Sequence, residues 1–97
     1  MKKRSLKYRF VIYSPAHGNA SFRFYRDMHY NTNGEWVPRV CVVIARGPEQ
    51  EMRSYFEYHA MNKEMRSSVL NNFKKWCHLY VLNSMYFDPA SDKVIEI

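Results

Sequence analysis

A chain of 97 residues with 46% hydrophobic and 25% charged side chains has room for one modest core, so a single domain is expected and whole-chain disorder is not. Fifteen Lys and Arg against nine Asp and Glu give a formal charge of +6, and the excess is lopsided: nine basic and two acidic residues up to Arg46, six basic and seven acidic from Gly47 onward. The first half therefore carries +7 and the second −1, a split that favours a nucleic acid, or an acidic protein or nucleoprotein surface, as partner.

Residues 1–5 read as a basic arm in which Lys2, Lys3 and Arg4 could order along a phosphate backbone. Lys7 and Arg9 interrupt what a secretion signal would need as an apolar run. No stretch approaches the ~20 apolar residues of a membrane span. The two cysteines, Cys41 and Cys77, fit small buried side chains in a reducing compartment. The expected location is the cytoplasm, away from any membrane.

From residue 6 to residue 46 the pattern has a period of two. Tyr8, Phe10 and Ile12 share one parity, with Lys7, Arg9, Val11 and Tyr13 on the other, as in a half-buried strand. A Ser-Pro-Ala-His-Gly-Asn turn at 14–19 leads into a second strand, with Phe22, Phe24 and Met28 facing one way and Arg23, Tyr25, Asp27 and His29 the other; Arg26 interrupts the apolar row. Asn33-Gly34 between two strand patterns marks a hairpin. The third strand, 36–46, holds a β-branched run that reads as buried and central. Pro38 lacks a ladder donor, which predicts an irregular or bulged start and central pairing from about Arg39.

Beyond it, Gly47-Pro48-Glu49-Gln50-Glu51 has the composition of a helix start, and Met52, Tyr55, Phe56 and His59 keep helical spacing. A second, longer helix is expected from about Asn62, with Met65, Val69, Phe73, Trp76, Cys77, Tyr80 and Val81 on its apolar face. Its end, to residue 87, is apolar nearly all round. Leu79, Leu82, Tyr86 and Phe87 are therefore candidates for burial or for self-association as a homodimer. After a stop at Asp88-Pro89, residues 93–97 could add a short edge strand. The expected fold is α+β: an antiparallel sheet of three strands, or four, followed by two helices over 47–87 packed on one face.

Guanidinium and ammonium groups neutralise phosphates and tyrosine rings accept stacked bases, so Lys7, Arg9, Tyr13, Arg23, Tyr25 and Arg39, with the arm, form a candidate nucleic-acid face. Lys63, Arg66, Lys74 and Lys75 read instead as the solvated side of a helix. No histidine or cysteine pair has metal-ligand spacing, and no nucleophile–base or paired-carboxylate pattern is present, so no metal, cofactor or enzymatic activity is expected. The order of elements departs from the RNA-recognition motif, because three strands precede the first helix, and from the double-stranded-RNA-binding fold, because no helix comes first. The leading expectation is a non-enzymatic nucleic-acid-binding module. The alternative is a protein-binding regulator: a short chain rich in Tyr, Met and Trp resembles, in general character, phage-encoded inhibitors of host machinery such as nucleic-acid-guided (anti-CRISPR) defence complexes, a likeness that involves no motif.

Overall fold

The period-two alternation builds the first three strands as expected. β1 (Ser5–Tyr13), β2 (Ala20–Tyr30) and β3 (Trp36–Arg46) turn Phe10 and Ile12, then Ala20, Phe22 and Phe24, then Val40, Val42 and Ile44 into one buried layer. The computed structural model describes residues 5–47, 51–57 and 63–97. Lys2, Lys3 and Arg4, the expected helix start at 48–50, and His59 lie outside the described residues, whereas Ser5, expected in the arm, opens β1.

The β2–β3 hairpin closes as the Asn-Gly pair predicts. Gly34 has φ +78, a left-handed conformation that a residue with a Cβ enters only at a cost. Asn31 organises the loop: its side-chain oxygen accepts from the amides of Asn33 and Glu35, both at 2.9 Å, and its own amide donates to the Glu35 carbonyl at 2.9 Å. Register is continuous from Ala20↔Arg46 to Tyr30↔Trp36, with Met28 opposite Pro38. The bulge expected at Pro38 is thus absent on the β2 side. The sheet's irregularity lies instead in β1, between Leu6 and Tyr8. Among the described residues the pairing of β3 with its other neighbour begins at Arg39, so no ladder bond described there is asked of Pro38.

Two expectations after β3 are corrected. The segment read as a first helix contains a strand, β4 (Glu51–Glu57), antiparallel to β3 from Ala45↔Glu51 to Arg39↔Glu57. The same residues satisfy both periods, since Met52, Ser54 and Phe56 also alternate with Arg53, Tyr55 and Glu57. The open edge of β3 decides between them by offering a ladder of partners, a non-local term that propensity does not contain. The long helix is also two helices, α1 (Lys63–Asn71) and α2 (Phe73–Leu82). They are broken at Asn72, whose φ −135 and ψ 48 leave the helical region and whose side chain makes no cap hydrogen bond.

The final segment, β5 (Lys93–Glu96), pairs antiparallel with β1 and gives a five-stranded sheet of order β4-β3-β2-β1-β5. The sheet thus has two strands more than the minimum expected, β2 lies at its centre, and β3 is interior. The helices cover one face. Phe24 meets Trp76 and Tyr80 edge-on at 6.3 and 5.9 Å, and Phe22 meets Tyr86 at 6.0 Å. Val69, Cys77 and Val81 complete the core. Arg46 ties the far corner: its guanidinium donates to the carbonyls of His17 and Gly18 and, at 2.9 Å, of Tyr86, holding the β1–β2 turn to the segment after α2.

Candidate nucleic-acid interface

Residues directly opposite in antiparallel strands point to the same side, so the register places the second parity of every strand on the face away from the helices. Two rows cross that face. One runs Arg9, Arg23, Val43, Arg53; the next runs Leu6, Tyr25, Cys41, Tyr55. With about 6.8 Å between residues two apart in a strand and about 4.8 Å between strands, a line of three guanidinium-bearing residues lies beside a line holding two tyrosines. On the middle strand Cys41 and Val43 are 0% and 1% exposed, so the accessible chemistry of this face belongs to the long side chains around them.

A third row joins Asp27 to Arg39. The Arg39 Nε donates to Asp27 Oδ1 at 2.7 Å and Nη2 donates to Oδ2 at 3.2 Å, a bidentate pair of the stronger, charge-assisted kind. The guanidinium carbon lies 4.3 Å from the centre of the Tyr55 ring, within cation–π range. The hydrogen bond to Asp27 raises the Arg39 pKa against the opposing effect of burial. Arg39 therefore clamps β2, β3 and β4 together, and Asp27 meets its charge.

The other sequence-predicted residues distribute as follows. Arg9 and Lys7 are exposed on β1, Lys7 at the bulge; Arg23 and Tyr25 are half-buried in the two rows; Tyr13 is exposed at the end of β1, opposite Lys93. Sequence reasoning missed Arg53 and Tyr55, because a helical reading of 51–59 sends them in other directions. The signal that could have found them is the alternation Glu51, Arg53, Tyr55, Glu57. β4 as a whole holds one Arg and two Glu, a formal charge of −1.

The helix side is chemically different. Tyr86 and Phe87, proposed for self-association, pack on the core, Leu82 is half-buried, and Leu79 stays exposed. Lys74 pairs with Glu96 at 3.0 Å, and both line a cleft of about 640 Å³ with Tyr8, Phe73, His78 and Leu79. Burial pushes the Cys77 thiol up, opposite to the depression that a nucleophilic cysteine requires. Among the described residues no group of three or more His, Cys, Asp and Glu is placed to hold a metal ion, and no helix is long and apolar enough to cross a membrane. Comparison with protein-family models, curated proteins and solved structures finds no match.

Proposed function

We propose that this small α+β domain is a non-enzymatic cytoplasmic module that binds nucleic acid on the sheet face away from the helices. The observation that carries the reading is the row Arg9, Arg23, Arg53 across three strands. Arg9 and Arg23 stand directly opposite each other, so a polyanion laid across that pair meets two guanidinium groups. Alongside lie the half-buried Tyr25 and the exposed Tyr55, whose ring carries Arg39 on one face and leaves the other for stacking. Arg9→Ala and Arg23→Ala should each weaken binding several-fold more than Lys74→Ala, and binding should fall steeply with salt as counterions are released. Fluorescence anisotropy with labelled oligonucleotides at low salt tests this; affinity no better than millimolar for every nucleic acid tried overturns it.

A second reading, an inhibitor that docks on a protein or nucleoprotein, is favoured by one other feature. At the β2–β3 tip Tyr30 and Trp36 pack in a tilted pair, 4.6 Å between ring centroids, yet remain 68% and 42% exposed. Paired, accessible aromatics are characteristic anchors of protein interfaces. Capture of a protein partner that survives nuclease treatment and is lost in Trp36→Ala, together with no direct nucleic-acid binding, would select this reading over the first.

A further inference from the structure

Resting on the nucleic-acid reading above, we infer that the ligand is single-stranded and crosses the sheet along the two rows, its phosphates on Arg9, Arg23 and Arg53 and its bases toward Tyr25 and Tyr55. Three observations carry this. First, the tyrosine row runs beside the arginine row, about 6.8 Å away, and a ring can stack only on a base face that is not already stacked inside a duplex. Second, on the strand between the tyrosines Cys41 and Val43 are buried and Ala45 has no polar side-chain atom, so none of these three reads the edge of a base pair by strong hydrogen bonds. Third, five strands span about 19 Å, four spacings of about 4.8 Å, whereas the major groove is about 12 Å wide and admits a two-stranded ribbon.

The sheet does narrow to such a ribbon beyond the described pairings of β1 and β4, at residues 28–38, but that stretch contains no Lys or Arg and one acidic residue, Glu35.

The numbers of contacts set the expected salt response. Three phosphates neutralised on a single strand give a slope of about −2 for log K against log salt, from about −0.7 per contact. The test uses the full chain with fluorescein-labelled single-stranded DNA, single-stranded RNA of the same sequence, and the matching DNA duplex, by anisotropy over 20–200 mM salt, roughly the range in which such slopes are resolved. A slope near −2 with either single strand, and duplex affinity at least about tenfold weaker, is the expected result; which of the two single strands binds tighter identifies the sugar preferred. Tyr55→Ala should lose about tenfold in affinity with the slope unchanged, while Arg53→Ala should flatten the slope by about 0.7. Equal or tighter duplex binding overturns the single-strand inference and leaves the broader reading standing. Absence of binding to all three overturns both.

Discussion

Asp27 and Arg39 form a bidentate pair in which the carboxylate side chain is only 5% exposed, and removing one partner of such a pair strands the other. Asp27→Ala should therefore destabilise the fold by about 1–3 kcal/mol, the cost of an unpaired polar group in partly buried surroundings, visible as a lower urea midpoint with an unchanged m-value. Because the folded Arg39 pKa lies above its ordinary value, its contribution is complete below that ordinary value and is lost only as pH rises beyond it. The pair should not make stability depend on pH in the neutral range. Cys77 behaves differently. Its thiol is raised from an ordinary 9.0 by burial, so the unfolded chain ionises there while the folded chain does not. Stability should be flat below about pH 9 and then fall by up to about 1.4 kcal/mol per pH unit from this group; Cys77→Ala should remove that component in urea titrations across pH 8–11, a range chosen to bracket the thiol value.

At the level of elements, the hairpin between β2 and β3 and the core row of β2 are the features on which the sheet depends. Gly34 at φ +78 has nothing within 4 Å of where a Cβ would sit, so Gly34→Ala tests backbone strain alone. The expected loss is about 1–2 kcal/mol, read as a lower Tm. Phe24 is fully buried at the centre of the sheet against Phe10, Trp76 and Tyr80, and Phe24→Ala should cost about 3–5 kcal/mol, a large part of the stability of a domain this size. The first three strands and their hairpin were legible because alternation and Asn-Gly are local signals, written in adjacent residues. The identity of 51–57 was not legible, since Met52, Tyr55 and Phe56 fit a helical stripe as well as an alternating strand; only the unpaired edge of β3, more than ten residues away for most pairs, resolves it. The break at Asn72 was likewise hidden inside an apolar pattern that continues through it. β5 could be suspected from 93–97, but its place beside β1 depends on the path of the helices back across the sheet.

For the molecule as a whole, the division of charge along the chain is not a division of faces. The basic first half supplies β1, β2 and β3, and their outward parity gathers Arg9, Arg23 and Arg39 with Asp27, while the helices that cover the other side carry Lys63, Arg66, Lys74 and Lys75 against Glu64. That much of the candidate site could be read from parity and charge. Two things could not: that Asp27 takes up Arg39, which needs the β2–β3 register, and that Arg53 and Tyr55 join the same rows, which needs β4. The central claim is that binding happens on this face. Its most direct test is chemical-shift mapping by amide NMR of the full chain titrated with a short single-stranded oligonucleotide at low salt. Perturbations should concentrate at Arg9, Arg23, Tyr25, Arg53 and Tyr55, with α1 and α2 unaffected. Perturbations confined to the helices or to the cleft around Phe73 and His78 would contradict it.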